Sequence, residues 1–182
     1  MAARSILVLG DQVIATSPTA AVSILQVRAF SQGCLMSVSA IARRSDRVAW
    51  YPRNWFRTGN SASGTLAPDD LLRFTVSLTD GRQASSLDPW RRPADTPDPD
   101  LSLTTYGTRV RSSTADPYGA PSDPAGADTV VAEITTELWL WPRPDTAGLT
   151  LTVSWPAFGI TAVPAPIDAR HIHDTATAAG IW

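Results

Sequence analysis

Apolar and polar residues alternate along much of this chain, and this period of two restricts its fold more than any other feature. The alternation is clearest from Leu72 to Thr79, where every second residue is apolar. Successive side chains of a β-strand point to opposite faces, so the pattern is typical of a strand with one buried face. Asp80-Gly81 follows at once, and this dipeptide favours a tight turn. Residues 72–86 are therefore predicted to form a β-hairpin.

Segments of the same kind predict further strands. The segments 130–141 and 149–155 each end in Trp-Pro and are joined by a short loop, so we expect them to pair as a closing hairpin. Pro164 and Pro166 are expected to end the sheet, because proline cannot donate a hydrogen bond to a neighbouring strand. The other predicted strands lie at residues 6–9, 13–16, 22–30, 34–42, 101–111 and 160–163.

These strands and their connections predict an all-β fold. About nine short strands with Gly- and Pro-rich loops are typical of a sandwich or a partly closed barrel, and we expect an antiparallel β-sandwich. Asp168 is expected to cap a short C-terminal α-helix over residues 168–180. Residues 1–182 then form a single domain, with long Pro-, Asp- and Gly-rich loops at 89–100 and 112–128.

Composition excludes several classes of function. The formal net charge is −2, so no general attraction to nucleic acid is expected. The chain has no lysine, which excludes Schiff-base and phosphate-loop lysines. No apolar run approaches the ~18 residues of a membrane-spanning helix. Cys34 is the single cysteine, so no internal disulfide can form, and we expect a core position for it and a reducing, cytoplasmic location.

Motifs for catalysis or metal binding are weak, and no cofactor is expected. His171 and His173 are two residues apart on the expected helix and would point about 200° apart, so they cannot share a metal ion. The aspartates at 95–100 lack the glycine and closing acid of a calcium loop, and those at 69–70, like them, are better explained as loop residues that make turns. Glu133 and Glu137 are expected ~13 Å apart on one strand face, farther than the carboxylate pair of a glycosidase. There is also no G-x-S-x-G motif.

Two tryptophans are the strongest candidates for a contact surface. Trp139 and Trp141 are expected on the solvent side of their strand, and if bare they would expose about 300–500 Å². In one interpretation the tail helix covers them with Ile172, Ile181 and Trp182. In the other they contact a partner protein, another subunit or a ligand.

A second aromatic cluster spans residues 50–56. Trp50, Arg53 and Trp55 combine aromatic rings with a planar cation, a set that can stack against sugar rings or bases. A sandwich corner that packs these residues under a loop would account for them equally well. Trp155 is in phase with the apolar residues of its strand and is expected in the core.

Three pieces of the sequence together resemble a group of uncharacterised actinobacterial proteins. They are LLRFTVSLTDGRQASSLD at 71–88, LWLWP at 138–142 and WPAFGI at 155–160. In that group a strand ending in ADGR, a Gly-rich loop, LWLWPLPP and EWPAxGI precede an alanine-rich C-terminal helix. This chain differs at Ser154, where the group usually has an acid, and before Val130, where its loop has more proline and aspartate. The resemblance covers roughly residues 20–180 and implies architecture and lineage, since no activity is assigned to the group.

Three functional hypotheses follow from the sequence. The first is a non-enzymatic β-sandwich that works through a protein partner or self-association, as a subunit of an assembly in a GC-rich bacterium or its phage. The second is a ligand-binding module, with carbohydrate as the ligand class, acting through Trp50, Arg53 and Trp55. The third and weakest is an enzyme with an unrecognised site.

Overall fold

The computed structural model of the chain describes residues 6–44, 71–88, 100–112, 130–144 and 148–178. Within these residues nine strands form two antiparallel sheets, followed by one α-helix, so the predicted sandwich is confirmed. The strands are β1 (Ile6–Thr16), β2 (Ala20–Ala29), β3 (Cys34–Arg44), β4 (Arg73–Leu78), β5 (Gln83–Ser85), β6 (Ser102–Ser112), β7 (Val130–Trp141), β8 (Leu149–Trp155) and β9 (Ile160–Ile167). The helix is α1 (Ala169–Ala178), and a 3-10 turn spans Pro156–Phe158.

The predicted closing hairpin is wrong. One sheet has the order β1-β2-β3-β7-β6 and the other β5-β4-β8-β9, so β7 and β8 lie in different sheets. β7 pairs with β3 and β6, whereas β8 pairs with β4 and β9. A strand with alternating residues buries its apolar face in either sheet of a sandwich. The hydrophobic pattern therefore does not determine which strand becomes its neighbour.

The core lies between the two sheets. On β8 the buried residues alternate with half-buried threonine and serine along the whole strand. Trp155 is fully buried, as expected, and its ring lies 4.2 Å from that of Phe158. At roughly 25 cal/mol per Å² of buried apolar surface, this apolar interior supplies the main stabilisation of the fold.

Two prolines that were expected to end the sheet lie inside β9. Pro164 and Pro166 are exposed and stand opposite Thr152 and Thr150 of β8. Because β9 is an edge strand, it needs backbone donors on one side only and tolerates proline. The prediction was wrong because the sequence does not mark which strands are edges.

A bulge changes the phase of β6. Uninterrupted alternation would place Leu103, Thr105 and Arg109 on one face, but the register shifts between Tyr106 and Arg109. Gly107 has a φ of +58°, a conformation that glycine adopts without the steric cost of a Cβ. Leu103 therefore faces the core, and Arg109 faces solvent.

The C-terminal helix begins as expected. The backbone N–H of His171 donates to Asp168 Oδ1 at 2.9 Å, which is the geometry of an N-cap. Ala169, Ile172 and Ala176 are buried, and the helix packs mainly against β1 and β2. No helix in the described ranges is long and apolar enough to cross a membrane. The predicted loops at 89–100 and 112–128 lie outside the described residues, apart from their ends at Asp100 and Ser112.

Candidate functional site

The outward side chains of the five-stranded sheet form rows that follow from the strand registers, and we refer to them together as the outer face. Each row crosses the sheet from β1 to β6, because the pairings of β1, β2, β3, β7 and β6 agree with one another. The rows are Leu7, Arg28, Leu35, Trp139, Thr104; Gly10, Gln26, Ser37, Glu137, Tyr106; Val13, Ser23, Ser39, Thr135, Arg109; and Thr16, Ala21, Ile41, Glu133, Arg111. Beyond the last of these rows, Arg43 on β3 is paired with Val131 on β7. Beyond the first, Trp141 on β7 is paired with Ser102 on β6.

Exposed apolar side chains are concentrated on the outer face. Among the described residues, five large apolar side chains are exposed, and the registers place all five there. They are Leu7 at 59%, Val13 at 62%, Ile41 at 44%, Tyr106 at 46% and Val131 at 41% of full exposure. Ile41 and Val131 lie in neighbouring rows of adjacent strands, whereas Leu7, Val13 and Tyr106 lie apart, so the five share a face without forming one continuous patch.

The sequence did not reveal this set. Ile41 lies between the buried residues Ala40 and Ala42, and Val131 precedes the buried Ala132. In both strands the small alanines face the core while a β-branched residue faces out. A run of apolar residues at both odd and even positions of a strand could have indicated an apolar outer face. Reasoning from period two assigns only one of the two sets to the core and leaves the other unexplained.

Trp139 and Trp141 lie on the outer face as expected, but both are half-buried. Phe30 packs edge-on against Trp139, with ring centroids 5.4 Å apart. Gly33 is buried beside the same ring, since a Cβ there would come within 2.7 Å of Trp139 Cζ2. The turn between β2 and β3 therefore covers much of Trp139, and the apolar area at this end of the face is smaller than the sequence suggests.

The expected cover from the tail helix is wrong for the part of the helix that the structure describes. Ile172 lies in the core, and α1 packs mainly against β1 and β2, with β3 between them and β7. Ile181 and Trp182 lie outside the described residues.

Polar side chains at the centre of the outer face are fixed by hydrogen bonds. Ser39 Oγ donates to Glu133 Oε1 at 3.1 Å, and Gln26 Nε2 donates to Ser37 Oγ at 3.0 Å. Both serines are buried, although the register places them on the outward side, and each is contacted by the longer side chain that it bonds. Glu133 and Glu137 stay four positions apart on one strand face, so the structure does not bring them together as a catalytic pair.

Basic residues on β6 lie beside an acidic strand, β7, in the strand register. Arg111 pairs directly with Glu133, Arg109 with Thr135, and Tyr106 with Glu137. At the bulge, the buried Thr136 donates from Oγ1 to the Tyr106 carbonyl at 3.0 Å, and this Oγ1 lies 3.1 Å from Thr108 Oγ1. Beyond the bulge, Arg109 and Arg111 both face solvent.

The remaining candidates for chemistry are not assembled into a site in the described part of the chain. His171 is exposed and His173 half-buried on α1, and no group of three or more His, Cys, Asp or Glu residues there could hold a metal ion. Cys34 is buried, and desolvation raises the pKa of its thiol from 9.0 to about 12. Trp50, Arg53 and Trp55 lie outside the described residues, so the carbohydrate hypothesis that depends on them stays a prediction.

The outer side of the four-stranded sheet has a different character. β4 presents Arg73, Thr75 and Ser77, and β8 presents Thr150, Thr152 and Ser154. No large apolar side chain is exposed among the described residues of this side.

No protein-family model matches the chain, and neither does any curated protein or solved structure. The resemblance to the actinobacterial group therefore stays a prediction.

Proposed function

We propose that this protein is a non-enzymatic β-sandwich that works by protein–protein contact through the outer face of its five-stranded sheet. In this proposal it is a subunit of a larger assembly, in the cytoplasm of a GC-rich bacterium or its phage. The observation that carries the proposal is the placement of Leu7, Val13, Ile41, Tyr106 and Val131 on one face of the sandwich. The opposite side carries threonine and serine at the corresponding outward positions.

The chemistry of these residues favours a protein over a sugar. Four of the five exposed side chains are aliphatic, and Tyr106 is the one aromatic ring among them. Sugars are recognised by stacking on aromatic faces, whereas aliphatic side chains gain most when they pack against other apolar side chains. Ser37 and Ser39 at the middle of the face are short and buried, so no side chain at these two positions projects far from the sheet.

Contact through the face is also favoured over pairing through strand edges. Of the four edge strands that the structure describes, β9 has prolines at 164 and 166, β6 has a bulge at Gly107, β1 has two irregular steps in its register, and β5 is three residues long. Prolines, bulges and short length all hinder the addition of another strand. The outer face, by contrast, exposes four aliphatic side chains among the described residues.

A matched pair of variants tests the proposal. Ile41→Arg places a long charged side chain in the outer face, where it stands opposite Glu133, and Thr152→Arg does the same at the centre of the four-stranded sheet. Each chain is used as bait in lysate of a GC-rich actinobacterium and examined by sedimentation velocity, after thermal melts have confirmed its folding. We expect Ile41→Arg to lose the associations of the parent chain and Thr152→Arg to keep them. If both variants keep every association, the outer face is not the contact surface.

A further inference from the structure

We infer that a partner of the outer face is a second copy of this chain, docked face to face about a two-fold axis close to the strand direction, above the line between β6 and β7. This inference rests on the proposed function and names the occupant of its surface. It is based on the order of charges along two neighbouring strands.

Outward charges on these strands are separated by sign. β7 presents Glu133 and Glu137, and β6 presents Arg109 and Arg111. Arg43 on the far side of β7 donates from Nε and Nη2 to the Pro18 carbonyl, at 3.2 and 2.6 Å, so it is held at the turn between β1 and β2. The acidic strand therefore has a basic strand beside it at the edge of the sheet, about 4.8 Å away.

A half turn about the proposed axis places β6 of each copy over β7 of the other and keeps the rows aligned. Arg111 of one copy then faces Glu133 of the other, Arg109 faces Thr135, and the Tyr106 hydroxyl faces the Glu137 carboxylate. Two-fold symmetry makes each contact twice. Arg–carboxylate pairs of this kind form charge-assisted, often bidentate hydrogen bonds.

Other two-fold arrangements on these strands bring like charges together. An axis along β7 itself would place Glu133 over Glu133. An axis across the strands at Thr135 would place Glu137 over Glu133. Like charges in direct opposition are unfavourable, so the charge order selects the axis between β6 and β7.

The size of the contact sets its strength. Two strands about 35 Å long, with side chains reaching across ~10–15 Å, give roughly 350–500 Å² per copy. Tyr106 and Val131 supply exposed apolar surface within this area. Both copies together bury less than the ~1,200 Å² of a standard interface, so we expect a weak dimer that raised salt dissociates further.

A charge-swapped chain provides the test. The double substitution Arg111→Glu with Glu133→Arg leaves one acidic and one basic residue at these two neighbouring positions of each chain, because they are register partners. Between copies, parent with parent and swapped with swapped are complementary, whereas parent with swapped places like charges together. The comparison therefore separates contact between copies from effects on folding, which thermal melts of both chains check.

The absence of lysine simplifies the measurement. An amine-reactive dye labels only the terminal amine of this chain, which gives a singly labelled parent tracer. The tracer is followed by fluorescence-detected sedimentation velocity while unlabelled chain is added. We expect unlabelled parent and Thr152→Arg chains to raise its sedimentation coefficient equally, and swapped chain to need at least tenfold higher concentration.

Two results would overturn the inference. Equal shifts with parent and swapped chains would place the contact elsewhere, and no shift with parent up to about 1 mM would exclude a dimer of useful affinity. The inference and the proposed function can be distinguished. If the parent stays monomeric but Ile41→Arg loses a captured protein that Thr152→Arg retains, the self-pairing is wrong and the proposed contact through the outer face is supported.

Discussion

The two outer sides of this sandwich carry different residues, although both belong to antiparallel sheets that bury their inner side. Facing the core, both sheets carry buried aliphatic and aromatic side chains. Facing solvent, β8 carries Thr150, Thr152 and Ser154, whereas β7 carries Val131, two glutamates and two tryptophans. Threonine suits a strand without exposing a large apolar surface. The exposed aliphatic side chains of the five-stranded side, which the four-stranded side lacks among its described residues, are the basis of the proposed contact with another molecule.

The covered end of the outer face should respond most strongly to a change. A Cβ at Gly33 would overlap the Leu140 carbonyl oxygen and come within 2.7 Å of the Trp139 ring, whereas a Cβ at Gly148 meets the Thr79 methyl at 2.9 Å. A side-chain methyl can move and a strand carbonyl cannot. We expect Gly33→Ala to lower the free energy of unfolding by about 3 kcal/mol and Gly148→Ala by less than about 1 kcal/mol, measured by urea denaturation. Equal losses would show that the β2–β3 turn is not packed as described.

The inner side that both sheets share should respond to alkali. The folded Cys34 thiol has a pKa of about 12, above its ordinary 9.0, so the folded chain keeps a proton that the unfolded chain releases. Stability therefore falls as pH rises from 9 towards 12, by about 2 kcal/mol between pH 9 and 11. Cys34→Ala removes this contribution, so the difference in pH slope between the two chains isolates it. Identical slopes would mean that the thiol reaches water in the folded state.

The bulge that aims the arginines outward should have an intermediate effect. Thr136→Val removes the hydrogen bonds to the Tyr106 carbonyl and the Thr108 hydroxyl at nearly constant volume. We expect a loss of about 1 kcal/mol, against a change near zero for Thr152→Val on the other side. Self-association of the Thr136 variant should weaken as well, since Arg109 and Arg111 depend on the bulge for their phase. Unchanged stability and association would show that the bulge holds without this threonine.

Placing a threonine on the five-stranded side and an isoleucine on the four-stranded side should affect stability least. Ile41→Thr and Thr152→Ile each alter an outward position, so unfolding free energies should change by less than about 0.5 kcal/mol. Capture of a partner protein from lysate should nevertheless fall for Ile41→Thr and not for Thr152→Ile. A large loss of stability from Ile41→Thr would mean that Ile41 serves the fold, and the comparison between the two sides would lose its basis.

Much of the fold could be predicted from the sequence because alternation is a local property. It located β7 and β8 at their observed bounds, and Asp168 at the start of α1. The partner of each strand is a long-range property, so the pattern could not place β7 and β8 in different sheets. Edge positions are equally hidden, which explains why Pro164 and Pro166 appeared to end the sheet.

The candidate surface was predicted less completely. Period two placed Trp139 and Trp141 outward, but their cover by Phe30 and Gly33 depends on how β2, β3 and β7 meet in space. The register of β1 shifts between Val13 and Ala15. Local alternation therefore could not show that Val13 faces solvent.

Hydroxyl-radical footprinting at low and high protein concentration tests the central claim most directly, because it reports side-chain exposure on both sides of the sandwich at once. Oxidation of Tyr106 and Val131 should fall as concentration rises, while that of the exposed Pro164 and Pro166 on β9 stays constant. If Tyr106 and Val131 remain equally reactive in the associated state, or if the prolines become protected instead, the outer face of the five-stranded sheet is not where this protein meets its partner.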